Sequence, residues 1–99
     1  MTTEQQRVVS VTSHAAKRFK QRCGLPKKAC QSHAQTAYDK GFKHADAKGR
    51  AKRYMDRLFL DYRKANQMRV YGEFIYLFSG TVLITVINLP RHVRGGFKH

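Results

Sequence analysis

A histidine and two arginines near the start of the chain have the spacing of a single stripe along a helix. His14, Arg18 and Arg22 follow one another at intervals of four residues, so their side chains would lie above one another on one helical face. Arginine suits a phosphate or a phosphorane, because its planar guanidinium donates two hydrogen bonds at once. A neighbouring histidine can accept or return a proton near neutral pH. The stripe therefore predicts chemistry on a phosphodiester, with a solvated basic face as the alternative.

The strands near the end of the chain supply a second candidate group. Alternation along a strand places Arg69 and Tyr71 on one face, and Thr85 interrupts the aliphatic run from Val82 to Ile87. A buried hydroxyl needs a partner, because leaving it unpaired costs roughly 1–3 kcal/mol. We expect these side chains to join the histidine stripe in one site, although a β-branched threonine is also an ordinary strand residue.

The overall charge points to a polyanionic partner. The 99 residues include 20 Lys and Arg but only 6 Asp and Glu, which gives a formal charge of +14. A protein this basic attracts a polyanion, and nucleic acid is the usual one. We predict further nucleic-acid contacts on the first helix and on a central basic loop and helix edge, at Lys17, Lys43, Lys48, Arg50, Lys52 and Arg53.

The residue pattern gives little support to metal or cofactor chemistry. Two-metal nucleases need clustered carboxylates, whereas the acidic residues here are scattered along the chain. Cys23, Cys30 and His33 do not have a recognised zinc-ligand spacing, and the glycine-rich loop that cradles nucleotide phosphates is missing from the sequence. We therefore expect neither a metal nor a cofactor.

The same sequence favours a cytoplasmic protein that does not bind a membrane. Its apolar runs are shorter than the roughly 18 residues of a membrane span, and residues 1–6 lack the apolar core of a secretory signal. Two cysteines seven positions apart fit a reduced protein better than a disulfide scaffold.

Hydrophobic periodicity predicts the elements that would position the candidate residues. Apolar residues recur at helical spacing over 13–23, 26–41 and 50–64, and then at strand spacing over 68–71, 73–78 and 81–89. Thr12 or Ser13 should cap the first helix, and Gly24 should end it. The strand connections are too short for parallel crossovers. We predict one α+β domain over 8–90, with two to three N-terminal helices packed on an antiparallel meander of three to four strands, a flexible N-terminus over 1–7 and a flexible basic tail over 91–99.

The first helix also resembles a known family. Residues 11–22 read Val-Thr-Ser-His-Ala-Ala-Lys-Arg-Phe-Lys-Gln-Arg, which resembles the T-x-H-A-x-x-R-x-x-x-R pattern of the barnase–EndoU–colicin–RelE superfamily of small metal-independent ribonucleases and toxins. Residues 83–87, Leu-Ile-Thr-Val-Ile, resemble the late strand of that group, and the order of helices before a meander is similar. The resemblance covers roughly residues 8–90, and phages carry related domains.

This resemblance implies a toxin-like endoribonuclease in which the 2′-hydroxyl of RNA is the nucleophile, so RNA is favoured over DNA. His14 would be the general base or acid. Arg18, Arg22 and Arg69 would stabilise the phosphate, while Tyr71 and Thr85 would orient or relay the proton. The long third helix departs from compact RelE-like toxins, and it leaves room for a member that binds without cutting.

Two other functions fit the same charge. The first is a non-catalytic phage or mobile-element accessory protein, of the host-defence-inhibitor type, that binds nucleic acid or a host nucleoprotein complex. The second is a ribosome-associated structural protein, which small size and a pI of about 10.4 would also suit. An acidic protein partner would accompany a toxin-like role.

Overall fold

A five-stranded mixed sheet forms the centre of the fold in the computed structural model, which describes residues 8–91. The predicted flexible N-terminus, and the predicted tail beyond residue 91, lie outside the described residues. The elements are β1 (Ser10–Val11), α1 (Ser13–Cys23), α2 (Lys27–Lys40), β2 (Phe42–Lys43), a short 3-10 turn (His44–Asp46), α3 (Gly49–Asp61), β3 (Gln67–Tyr71), β4 (Phe74–Ser79) and β5 (Val82–Asn88).

The α+β class is confirmed, whereas the predicted sheet was too small and too simple. Strands β3, β4 and β5 form an antiparallel meander. Two additional strands flank the meander. Strand β1 pairs parallel with β5, and strand β2 pairs antiparallel with β3. The order of strands in the sheet is therefore β1-β5-β4-β3-β2. Each of these edge strands has only two residues. The sequence over 7–12 predicts a short strand or an extended entry, and β1 lies within that stretch, whereas β2 is too short for an alternating pattern to reveal.

Helices α1 and α2 pack over one face of the sheet, and the core there is rich in aromatic residues. The hydroxyl of Thr12 accepts a hydrogen bond from the Ala15 backbone N–H (3.0 Å), and Gly24 ends α1 in the left-handed conformation at φ 73°, as the sequence predicts. The apolar stripe of α1 turns inward. This α1–α2 core contains Val9, Ala15, Phe19, Cys30, Ala34, Ala37, Tyr76, Phe78, Leu83 and Val86.

Helix α3 packs near the opposite set of sheet residues and is shorter than the predicted 50–64. It ends at Asp61, and the chain turns so that the N–H of Ala65 donates to the carbonyl of Tyr62 (2.9 Å). The N–H of Asn66 donates to the carbonyl of Phe78 (2.9 Å), so the chain has left the helix by this point to join the sheet, and Ala65 is buried. This α3 core contains Ala47, Ala51, Met55, Leu58, Ala65, Met68, Val70, Ile75, Leu77 and Leu89.

Arginine side chains occupy the sheet edges that the two short strands leave uncovered. Strand β1 pairs with β5 only as far as Leu83, and beyond it Nε of Arg22 donates to the carbonyl of Val86 (2.9 Å). Strand β2 ends opposite Arg69, whose Nη1 donates to the carbonyl of Met68 (3.2 Å). None of the helices in the described part of the chain has the length and apolar character needed to span a bilayer.

Candidate nucleic-acid interface

An uncompensated basic surface covers α1 and the start of α2. We call it the α1 surface, and it consists of Lys17, Arg18, Lys20, Arg22, Lys27 and Lys28, all of them exposed. Residues 8–38 contain no Asp or Glu, and none of the six cations forms an ion pair with another described residue. Its positive charge is therefore available to an external anion.

The predicted histidine stripe lies on this surface. His14 and Arg18 are exposed on α1, and Nη1 of Arg18 lies 3.4 Å from the side-chain oxygen of Gln21. Arg22 is exposed, although its Nε donates a hydrogen bond to the carbonyl of Val86 in β5. His14 is exposed to solvent and lines neither of the two clefts described below.

Arg69 and Tyr71 lie on β3, two strands away from the strand that Arg22 contacts. That separation is about 10 Å at the ordinary spacing between strands. The partner of Arg69 in β4 is Tyr76, which belongs to the α1–α2 core, so the pair lies on the α1 side of the sheet. There Tyr38 of α2 covers Arg69: its carbonyl accepts from Nε (3.2 Å), and its ring centre lies 5.0 Å from the guanidinium carbon.

Thr85 lies on the other face of the sheet. It pairs with Leu77, a member of the α3 core, because a bulge at Leu77/Phe78 shifts the register so that Leu83 pairs with Phe78. The side chain is buried, and within residues 8–91 its hydroxyl makes no hydrogen bond. The structure therefore divides the six predicted catalytic residues between two faces: His14, Arg18, Arg22, Arg69 and Tyr71 on the α1 side, and Thr85 on the α3 side.

Tyr71 lines a cleft of about 450 Å³ beside the β3–β4 turn, together with His33, Phe74 and Tyr76. The ring of His33 packs against Phe19 with 5.5 Å between centres. The Tyr76 side chain is only 1% exposed, and this burial raises the pKa of its hydroxyl well above the ordinary value. In the described part of the chain this hydroxyl makes no hydrogen bond, and its raised pKa keeps it protonated at neutral pH.

The predicted contacts around α3 form a second basic region that contains acidic residues. Lys43, Lys48, Arg50 and Arg53 are exposed. Lys52 instead pairs with Asp56 (3.2 Å), whose other oxygen lies 2.6 Å from Nε2 of His44. Hydrogen bonds from His44 and then Lys52 hold the pKa of Asp56 below its ordinary value. Sequence reasoning missed this network; the spacing of Lys52 and Asp56 was visible, but the approach of His44 depends on the turn before α3.

The cysteines are free thiols buried to different degrees. Cys30 is fully buried and Cys23 partly so. Burial raises the pKa of Cys30 to about 11, so it remains protonated at neutral pH. Among residues 8–91 there is no group of three His, Cys, Asp or Glu side chains that could hold a metal ion.

Comparison of the chain with models of known protein families, with curated proteins and with solved structures finds no match.

Proposed function

We propose that the protein binds nucleic acid, with RNA favoured, through the α1 surface. The observation that carries this proposal is the stretch of 31 residues, 8–38, with six Lys and Arg and no acidic residue, folded so that all six cations are exposed. A cytoplasmic location, and a nucleoprotein complex as the physiological setting, belong to the same proposal.

The physical basis is the release of counterions. Each phosphate that a lysine or arginine neutralises frees condensed ions, so affinity falls steeply with salt, with a slope of about −0.7 per contact on a single strand. A cation that already pairs with a carboxylate contributes less to nucleic-acid affinity. Either that ion pair must be broken, or the carboxylate stays in place and repels the phosphate. The α1 surface has no such carboxylate, whereas the α3 region includes Asp56 and Asp61.

The test compares two matched triple variants. Lys17→Ala/Arg18→Ala/Lys20→Ala neutralises the α1 surface, and Arg50→Ala/Arg53→Ala/Arg57→Ala neutralises the same number of cations on α3. Arg22 is kept because it also supports the sheet edge. Fluorescence anisotropy with a labelled single-stranded RNA, over a range of salt concentrations, should show the slope reduced by about two in the α1 variant.

The α3 variant should keep most of the slope, and circular dichroism should show both variants folded. Equal losses in the two variants would remove the assignment to α1. Single-stranded DNA of the same sequence provides the second arm, and equal affinity for DNA would reject the preference for RNA.

A second candidate is metal-independent endoribonuclease activity. It is favoured by one observation, the exposed stripe of His14, Arg18 and Arg22 on an acid-free surface, and the resemblance of residues 11–22 to the barnase–EndoU–colicin–RelE pattern supports it. His14 would remove the proton from the 2′-hydroxyl as the 2′-oxygen attacks phosphorus, and the two guanidiniums would stabilise the phosphorane. The bond from phosphorus to the 5′-oxygen would then break, and the protonated His14 would return its proton to that oxygen. The other predicted catalytic residues, Arg69, Tyr71 and Thr85, lie away from this stripe.

The cleavage test incubates RNA with the protein in excess chelator. Cyclic 2′,3′-phosphate ends that disappear with His14→Ala would support catalysis. Intact RNA at high protein concentration would reject it, and the binding proposal would be unaffected because it requires no base.

A further inference from the structure

We propose that the pocket at the uncovered edge of β3 binds a phosphoryl group. We call it the β3-edge pocket; it has a volume of about 190 Å³ and is lined in part by Lys43, His44, Phe59, Asn66, Gln67 and Arg69. It lies on the β2–β3 side of the sheet, away from the β1–β5 edge where Arg22 of the α1 surface is bound. The proposal is therefore independent of the function proposed above.

The central observation is a buried guanidinium without a carboxylate partner. Arg69 is 7% exposed, and it donates from Nε and Nη1 to two backbone carbonyls. In the described part of the chain no carboxylate lies within ion-pair distance of it. Its remaining N–H groups have no hydrogen-bond acceptor among the same residues.

Such an arrangement is costly unless an anion completes it. A buried charge needs a partner, because removal from water is repaid only by opposite charge and hydrogen bonds. Burial lowers the pKa of Arg69, while Asp46 and Tyr38 act on it from a distance in the opposite direction. A bound anion would compensate this penalty directly.

The rest of the pocket wall also suits an anion. Lys43 is exposed at the rim. Asn66 uses its side-chain oxygen to accept from the Gly80 backbone N–H (2.9 Å), which leaves its amide nitrogen as a donor. Among residues 8–91, no carboxylate lines the pocket. Asp56 is close to His44 but is already bound by His44 and Lys52, so it does not neutralise Arg69.

The size of the pocket limits the ligand to a phosphoryl group rather than a whole nucleotide. Pockets for complete small-molecule ligands usually measure about 300–1,000 Å³, and this one is smaller. Phe59 lies at its wall, 40% exposed and with its ring centre 5.6 Å from that of His44. The remainder of a phosphorylated ligand would extend over this aromatic surface.

The first experiment titrates inorganic phosphate into the protein and follows backbone amide resonances by NMR at constant ionic strength. Resonances of residues 43–44 and 66–69 should shift and saturate. Lys43→Ala should weaken phosphate binding about tenfold, because it removes one charge-assisted hydrogen bond. Lys48→Ala is the matched control, since Lys48 is equally exposed but does not line the pocket.

The Arg69→Lys substitution keeps the positive charge but loses the planar guanidinium, which donates to two backbone carbonyls. It should weaken phosphate binding more than Lys43→Ala does. If Arg69→Lys fails to fold, the Lys43 and Lys48 pair alone decides. Non-saturating shifts spread over the whole basic surface, or equal affinity in the Lys43→Ala and Lys48→Ala variants, would overturn the proposal.

A second arm identifies the source of the phosphoryl group. A short RNA with a 5′-phosphate should bind more tightly than the same RNA with a 5′-hydroxyl if the site takes a nucleic-acid end, and Lys43→Ala should abolish that difference. Saturable binding of free phosphate without such a difference would assign the site to a small phosphorylated molecule. Failure of both probes would reject the site and leave the α1 surface untouched.

Discussion

The helices on the two sides of the sheet carry similar numbers of cations in different electrostatic settings. On the α1 side the six cations of the α1 surface share residues 8–38 with no acidic residue. On the α3 side, Asp56 and Asp61 are interspersed among the basic residues of one helix, and Asp56 is bound to His44 and Lys52. A count of lysines and arginines would rank the two surfaces equally. The placement of a few carboxylates separates a surface available to a polyanion from one that partly satisfies itself.

The cores beneath these surfaces differ as well. The α1–α2 core is built around Phe19, Tyr76 and Phe78, whereas the α3 core relies on Met55, Met68 and aliphatic side chains. Aromatic rings have few rotamers and bury a large area, while methionine is flexible and adapts to irregular gaps. We therefore expect the α1–α2 core, beneath the α1 surface, to be more rigid than the α3 core.

The largest expected effect comes from disrupting the α1–α2 core. Phe19→Ala should lower the free energy of unfolding by about 3–5 kcal/mol, since it empties a fully buried aromatic site. Met55→Ala should cost about 2–5 kcal/mol on the other side. Urea denaturation measures the loss in free energy of unfolding for both variants. RNA affinity, measured under conditions where each variant is folded, then compares the two sides of the sheet in binding.

RNA affinity should fall for folded Phe19→Ala, because α1 loses its anchor and its cations lose their fixed spacing. It should persist in folded Met55→Ala. An equal loss of RNA affinity in the two variants would mean that the two sides do not differ in this respect.

An intermediate effect is expected at the β5 edge. Arg22→Met should lower the free energy of unfolding by about 1 kcal/mol, because the carbonyl of Val86 loses its donor. Arg57→Met on α3 is the control and should change stability by less than about 0.5 kcal/mol, because Arg57 is an exposed residue that makes no hydrogen bond or ion pair with the described part of the chain. Thermal and urea unfolding compare the two, and identical losses would show that Arg22 is not an edge support.

The smallest effect concerns the pH dependence of the α3 side. The folded-state pKa of Asp56 lies below its ordinary value of 3.8, first because His44 and then because Lys52 donates a hydrogen bond to it. Its stabilising contribution is therefore complete above pH 3.8 and is lost as the pH falls through the lower folded-state value. The difference in Tm between the wild type and Asp56→Asn should shrink as the pH is lowered from about 5 to about 2. A difference that stays constant, or grows toward acid, would contradict this account.

Local sequence signals were enough to predict the well-defined elements. Thr12, Gly24 and the stripe that contains Phe19 specify α1, and period-two alternation specifies β3, β4 and β5 within a residue or two. Tyr76 and Phe78 alternate along β4 and are both buried, as the period-two pattern of an inward strand face predicts. These features depend on caps, turns and periodicity, which are encoded by neighbouring residues.

Features that depend on distant contacts could not be predicted in this way. The two-residue strand β2 was not predicted, and it is recognised only by its pairing with β3. Simple alternation would have placed Thr85 on the same face as Leu83, but the bulge moves it to the side of Leu77. The isolation of Thr85 from His14, and the approach of His44 to Asp56, follow from such tertiary geometry.

The arginines at the two sheet edges have a consequence for how copies of this protein coexist in solution. An unprotected strand edge is a template on which a second chain can add its own strand, and short edge strands with charged side chains are a common defence. Here Arg22 and Arg69 occupy the carbonyls of Val86 and Met68, and the exposed Arg22 adds a positive charge that a like-charged copy would meet. We therefore expect these arginines to oppose the edge-to-edge joining of sheets from two copies.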